Sequence, residues 1–237
     1  MGVWISWARR LRLLAPRRSL QKLTAIYVLF TISLLPISVS ASAAEPIRIL
    51  AFGDSLTAGY GLADLADAFP AQLEKALRAK GLNVMIVQGG VSGDTTTDGR
   101  ARLDWAMSAK PDAVIVELGA NDALRALDPK LTEDNLRIII SRIHKDGTPV
   151  LIAGMVAPPN LGRDYADRFN PLFSKVAKEH DVLLYPFFLD GVAAIPNLNQ
   201  ADHMHPLPAG VKIVVHKILP SVEKLVGQVE ARRKAAR

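Results

Sequence analysis

Five short apolar segments, each followed by a segment of helical periodicity, limit the folds open to this chain more than any other feature of its sequence. The apolar segments are aliphatic or β-branched on successive residues, which is typical of strands covered on both faces. They span residues 47–52, 84–87, 113–118, 150–155 and 182–185. Helical periodicity follows at about residues 69–80, 96–109, 132–147, 164–180 and 209–226. This alternation predicts an α/β fold with a doubly wound, mostly parallel sheet of about five strands.

The first 44 residues have the features of a bacterial export signal. Their charged side chains are all basic and precede the apolar run 23–35, and Pro36 and small residues follow. This order is typical of a signal peptide cleaved after Ala43 or Ala44. The apolar run is shorter than the ~18–20 residues of a membrane-spanning helix, which argues against an uncleaved anchor. We therefore expect residues 1–44 to be an export signal, residues 45–230 a single domain and residues 231–237 a basic tail. The mature protein would be periplasmic or secreted, without a stable membrane anchor.

Charge and cysteine content exclude several classes of protein. The net charge of +6 comes from the predicted signal, since the rest of the chain carries as many carboxylates as cations. Four of those remaining cations lie in the tail, so the folded part is mildly acidic and we expect no nucleic-acid partner. The chain has no cysteine, which excludes disulfides, thiolate metal sites and a cysteine nucleophile.

Small and polar residues follow four of the five predicted strands. The sequence reads GDSL at residues 53–56, GGVSGDT at 89–95, GAND at 119–122 and ADHMHP at 201–206. In doubly wound sheets, ligands bind at the carboxyl ends of the strands, so we expect these segments to meet at one edge. Their meeting would bring a serine, a histidine, carboxylates and an amide around one site.

These residue types are the ones that serine-dependent acyl transfer requires. Ser55 supplies a hydroxyl, and Asp202 lies three residues before His205, so on a helical turn the carboxylate would contact the imidazole. The backbone N–H groups of Ser55 and Gly93 and the amide of Asn121 could surround a developing oxyanion. Each residue also has a plainer interpretation: a helix-capping serine or aspartate, a surface histidine, a turn glycine or an Asx turn.

Two further carboxylates and one loop accompany these residues. We interpret Asp54 and Asp94 as residues that hold the serine loop, with helix capping as the alternative. The loop 157–165, after the fourth strand, is expected to border an acyl pocket as a mobile rim. Since Thr57 stands where the G-x-S-x-G signature needs its second glycine, the serine is not on an α/β-hydrolase elbow.

The motifs GDSLTAGYG, VSGDTTTDGRARL, VELGANDALR and DHMHP together resemble those of the GDSL, or SGNH, hydrolase family. The resemblance covers about residues 47–226, and it is strongest to the bacterial thioesterase I, lysophospholipase L1 and arylesterase group. It implies a flavodoxin-like three-layer α/β/α sandwich with strand order 2-1-3-4-5. It also implies that Ser55 is the nucleophile, Asp202 the orienting acid and His205 the base, with an oxyanion hole formed by Ser55, Gly93 and Asn121. No cofactor or metal is implied.

We therefore expect an exported serine esterase that hydrolyses short-to-medium acyl esters and thioesters, lysophospholipids among them, through an acyl-enzyme on Ser55. The alternative on the same fold is an O-acetylesterase of envelope polysaccharides. A metal site at Asp202, His203 and His205 is less favoured, because it would crowd three ligands into four residues. His203 could also rival His205 as the base, although its position next to Asp202 should point it away. A non-catalytic lipid- or sugar-binding module is also less favoured, because such a module would not need the whole set of catalytic residue types.

Overall fold

The computed structural model describes residues 45–236. Five parallel strands form one sheet, flanked by eight α-helices within these residues. The strands are β1 (Ile47–Gly53), β2 (Val84–Gly90), β3 (Ala113–Glu117), β4 (Val150–Ala153) and β5 (Leu183–Tyr185). The helices are α1 (Ser55–Ala58), α2 (Phe69–Ala79), α3 (Thr96–Met107), α4 (Ala120–Leu124), α5 (Pro129–His144), α6 (Arg163–Phe169), α7 (Leu172–Glu179) and α8 (Pro208–Ala235).

The strand order is β2-β1-β3-β4-β5, and every neighbouring pair is parallel. This confirms the predicted fold class and strand order. All residues of β3 and β4 are buried, as expected for central strands with helices on both faces. Helix α2 packs against α8, while α3 packs against α5 and α5 against α7. These two helix groups form the outer layers of the sandwich.

The register of the sheet brings three strand ends to one level. Gly53 at the end of β1 pairs with Gly90 at the end of β2 and with Glu117 at the end of β3. The segments that begin with Asp54, with Val91 and with Leu118 therefore leave the sheet side by side. A single edge of the molecule thus receives the GDSL, VSGDT and GAND segments.

Several helix boundaries differ from the predicted ones, for reasons visible in the structure. The predicted helix over residues 164–180 is two helices, α6 and α7, because Pro171 cannot donate a backbone hydrogen bond. Helix α5 begins at Pro129, three residues earlier than predicted, since the Asp128 side chain accepts from Lys130 N and caps it. Helix α8 runs nine residues beyond the predicted end, through Pro220 and up to Ala235.

The predicted export signal lies outside the described residues. Within residues 45–236, no helix combines the length and the apolar character needed to cross a membrane.

Candidate active site

Ser55 stands at the start of a one-turn helix directly after β1. The chain leaves the buried strand at Gly53, and the Asp54 side chain caps α1 by accepting from Leu56 N at 3.0 Å. Gly59 ends the helix in the left-handed region, with φ of 78°. The tight turn presents the half-buried Ser55 side chain at the carboxyl edge of the sheet.

The Ser55 hydroxyl is hydrogen-bonded to His205, which lies 150 residues later in the chain. Ser55 Oγ is 2.8 Å from His205 Nε2, and His205 Nδ1 is 2.7 Å from Asp202 Oδ2. The three predicted side chains thus form a continuous series. With Nδ1 donating to the carboxylate, Nε2 is left to accept from the serine hydroxyl.

The turn that carries Asp202 and His205 is not helical, in contrast to the prediction. Asp202 Oδ1 accepts from the backbone N–H groups of Met204, at 2.9 Å, and His205, at 3.0 Å. His203 between them has a left-handed φ of 60°, so the chain reverses there. The carboxylate therefore closes its own turn with one oxygen and orients the imidazole with the other.

These hydrogen bonds keep Asp202 ionised. Partial burial opposes its ionisation, but the bonds from the His205 side chain and from the two backbone N–H groups outweigh burial and lower the pKa of Asp202 to about 2. His203 is exposed. Within residues 45–236, no group of three or more histidine and carboxylate side chains is arranged to hold a metal ion.

The structure also brings the predicted oxyanion residues to this edge. Gly93 has a φ of 88°, a conformation that favours glycine. Among the described residues, the backbone N–H groups of Ser55 and Gly93 have no hydrogen-bond acceptor. The Asn121 amide is already engaged, since its Nδ2 donates to Asp54 Oδ2 at 3.1 Å and to the Asp94 carbonyl at 3.0 Å.

Asp54 and Asp94 both hold the loops around Ser55. Besides capping α1, Asp54 is fully buried and accepts from Asn121. Asp94 is paired with Arg102, whose Nε lies 2.5 Å from Asp94 Oδ2, and Arg102 Nη2 also donates to the Gly53 carbonyl at 2.8 Å. Arg102 therefore connects the end of β1 to the Gly93 loop.

Sequence reasoning missed two residues that support the site, Arg102 and Glu117. Glu117 ends β3 with no exposed surface, and it accepts hydrogen bonds from the Thr57 hydroxyl and from Asp54 N. A lone carboxylate at the end of the apolar strand AVIVE, directly before GAND, was the signal that could have identified Glu117. Nothing in the sequence singles out Arg102 from its neighbour Arg100.

Burial changes the acidity of the two carboxyls beneath Ser55. Desolvation raises the pKa of Asp54 to about 6, against hydrogen bonds from Leu56 N and Asn121 that favour the charged form. Burial also raises the pKa of Glu117 well above its ordinary value, and the nearby charge of Asp54 adds to the rise.

An exposed aromatic side chain lies beside the serine–histidine contact. Tyr60 is 55% exposed, and the centroid of its ring lies 4.7 Å from that of the His205 ring. Gln200 holds the Tyr60 segment by donating from Nε2 to the Tyr60 carbonyl at 2.7 Å. Met204 and Val156 are exposed as well, and Val156 belongs to the segment after β4.

Known proteins are similar to this chain in sequence and in fold. Residues 51–213 match the GDSL-like Lipase/Acylhydrolase family. An arylesterase from Vibrio mimicus is 39% identical over 171 residues, which is 72% of this chain and 85% of the relative. The thioesterase 1/protease 1/lysophospholipase L1 of Escherichia coli is 38% identical over 73% of this chain and 81% of its own length. The crystal structure of AlinE4, a SGNH-hydrolase family esterase, superposes with a TM-score of 0.66 at 45% identity, covering 77% of this chain and 98% of that chain.

A parallel α/β sheet that carries a serine, a histidine and an aspartate in hydrogen-bonded series at its carboxyl edge is a framework of ester-hydrolysing enzymes. The matches agree with this class. The chain belongs to the GDSL-like Lipase/Acylhydrolase family, and it is an ester-hydrolysing enzyme.

Proposed function

We propose that this enzyme is an exported serine esterase that hydrolyses short-to-medium acyl esters and thioesters through an acyl-enzyme on Ser55. The observation that carries the proposal is the 2.8 Å contact between Ser55 Oγ and His205 Nε2. This distance is within the range at which a general base takes a proton from a nucleophile. The names of its relatives, arylesterase and thioesterase 1/lysophospholipase L1, support the substrate class.

In the first half of the reaction, Ser55 Oγ attacks the carbonyl carbon while its proton passes to His205 Nε2. Asp202 stabilises the resulting imidazolium through the 2.7 Å contact with Nδ1. The tetrahedral intermediate collapses when His205 returns the proton to the departing alcohol or thiol. Water then repeats the sequence on the acyl-enzyme and releases the acid.

We assign the oxyanion to the space in front of the Ser55 and Gly93 N–H groups, with Asn121 as the third donor. Because both Nδ2 hydrogens of Asn121 have protein acceptors in the resting enzyme, the amide must turn one of them from Asp54 or Asp94 towards the oxyanion. We expect removal of this donor to cost about 2.7–4 kcal/mol of transition-state stabilisation.

An activity-based probe tests the nucleophile. A fluorophosphonate should label the wild type rapidly and spare Ser55→Ala. Ser92→Ala is the matched control, because Ser92 is an exposed serine of the neighbouring loop, and this variant should label like the wild type. Equal labelling of the wild type and Ser55→Ala would refute the assignment.

Substrate profiling tests the acyl class. Hydrolysis rates for p-nitrophenyl esters of increasing chain length, for acyl thioesters and for lysophospholipids should exceed those for acetylated polysaccharide. A reversed order, with acetylated polysaccharide turned over fastest, would favour the O-acetylesterase alternative instead.

The location is a separate part of the proposal, and it is supported by the basic, apolar and small-residue order of residues 1–44. N-terminal sequencing of the protein recovered from a periplasmic fraction should give a chain that begins near Ala44 or Glu45. Recovery of the full-length chain from the cytoplasm would contradict export.

A further inference from the structure

Glu117 is a buried carboxyl that the proposed mechanism does not use. It ends β3 with no exposed surface, directly beneath the turn that carries Ser55. Its Oε2 accepts from Thr57 Oγ1 at 2.7 Å and from Asp54 N at 3.3 Å. Its other oxygen, Oε1, is buried and has no hydrogen-bond partner among the described residues.

The two groups that Glu117 holds lie on either side of the nucleophile. Asp54 precedes Ser55 by one residue and Thr57 follows it by two, so one carboxyl oxygen ties both flanks of the turn to the end of β3. The tight packing also explains the glycine at position 53. A Cβ there would lie 2.5 Å from Glu117 Oε2 and 2.7 Å from the Glu117 carbonyl oxygen, which leaves no room for a side chain.

Among the described residues, no cationic side chain is hydrogen-bonded to Glu117 or to Asp54. Arg102 directs its Nε to Asp94 and its Nη2 to the Gly53 carbonyl, so its hydrogen bonds go to neither of them. Through space, His205 lowers the pKa of Asp54 and Asp94 raises it. Two buried carboxyls in such proximity cannot both ionise near neutral pH, so the pair retains a proton.

The hydrogen bonds decide which of the two carboxyls carries that proton. Both oxygens of Asp54 accept from N–H groups, Oδ1 from Leu56 N and Oδ2 from Asn121 Nδ2, and these bonds favour the charged form. One oxygen of Glu117 has no donor, and burial without a donor penalises a carboxylate strongly. The negative charge therefore belongs on Asp54 and the proton on Glu117.

We propose that Glu117 is a positioning residue that works as an uncharged acid, holding the Ser55 turn through Thr57 and Asp54 while it leaves the negative charge on Asp54. That charge in turn orients the Asn121 amide at the edge of the oxyanion site. The role in catalysis rests on the proposed function of Ser55, whereas the protonation of Glu117 in the resting enzyme does not.

Three variants separate the effect of the hydrogen bonds that Glu117 accepts from the effect of a charge on its carboxyl group. Glu117→Gln keeps the acceptor oxygen without a charge and should retain kcat within about threefold. Glu117→Leu removes the acceptor of two hydrogen bonds and should lower kcat by about tenfold or more with little change in KM. The control is Glu133→Gln, which removes a buried carboxyl of α5 that is paired with Arg137 of the same helix and with Lys175 of α7. A Glu117→Gln variant as impaired as Glu117→Leu would overturn the proposal.

Infrared spectroscopy tests the proton directly, and it needs neither turnover nor the leucine variant to fold. The wild type at pH 7.5 should show the C=O stretch of a protonated carboxylic acid. This band should persist in Glu133→Gln and in Ser55→Ala, and disappear in Glu117→Gln. A wild-type spectrum without the band would overturn the proposal even if Ser55 is the nucleophile. A band that behaves as expected would support it even if labelling of Ser55 failed.

Discussion

Replacement of Arg102 by methionine should destabilise the fold because it leaves a buried carboxylate unpaired. The Arg102 and Asp94 side chains are only 16% and 11% exposed, and their contact is 2.5 Å. Breaking one partner of such a buried pair typically costs about 3–5 kcal/mol. Arg102 Nη1 is itself buried without an acceptor, so replacing the arginine also removes one buried polar group that has no partner. We therefore expect a loss of stability near the lower end of this range, about 3 kcal/mol. For a domain of this size, that cost corresponds to a fall in Tm of about 6–12 °C.

The measurement is thermal unfolding of Arg102→Met beside a matched surface variant. Arg142→Met removes the partner of Asp104, an ion pair whose side chains are 42% and 82% exposed. Such pairs contribute little, so its Tm should fall by only about 1–2 °C. The double variant Arg102→Met/Asp94→Asn should be more stable than Arg102→Met alone, since the unpaired charge is gone. Equal Tm values for Arg102→Met and Arg142→Met would show that the buried pair contributes no more to stability than the exposed one.

Three further predictions concern the site. Asp202→Asn should lower kcat on the order of 10⁴-fold. Because the pKa of Asp202 is about 2, stopped assays of the wild type should show no loss of activity from this group above about pH 4. Tyr60→Ala should raise KM about two- to tenfold for a phenyl ester and not for the ethyl ester of the same acid, since the Tyr60 ring lies beside His205, the residue that we propose protonates the leaving group. In wild-type melts, the contribution of Glu117 to stability should fall as the pH rises from its ordinary pKa of 4.5 through its raised folded value. Glu117→Gln should therefore lose less Tm than the wild type between pH 5 and pH 8.

The sheet could be predicted from the sequence because its strands are covered on both faces. Residues such as Val114, Ile115 and Val116 have no exposed surface, so the pattern of apolar residues reflects burial directly. The order of the strands, by contrast, came from the family resemblance. Nothing local in an apolar run specifies which other run it pairs with.

The helix boundaries were harder, because distant partners set several of them. Helix α8 continues beyond residue 226 with Val229 buried, Arg232 donating to the Asp146 carbonyl at 2.5 Å and Arg233 paired with Asp112 at 2.9 Å. These contacts join the helix to segments 86 and 121 residues earlier in the chain. The break at Pro171 was different, since the proline itself was a local signal.

In the candidate site, too, some features could be predicted from the sequence and others depend on contacts between distant residues. The residue types at the strand ends were sufficient to predict that Ser55, Asp202 and His205 meet, because the chemistry requires all three together. The non-helical turn around Asp202 was not predicted, since its backbone bonds to Met204 and His205 depend on the reversal at His203. The links from Glu117 to Thr57 and from Arg102 to Gly53 span 60 and 49 residues, and only the fold brings these groups together.

Trapping the covalent intermediate tests the proposed mechanism most directly. The wild type is mixed with a short-chain p-nitrophenyl ester, quenched in acid within a single turnover and digested, and the peptides are analysed by mass spectrometry. We expect one acylated peptide, with the acyl group on Ser55, and no acylated peptide from Ser55→Ala. An acyl group on another residue, or turnover by the wild type without any acylated peptide, would rule out Ser55 as the nucleophile.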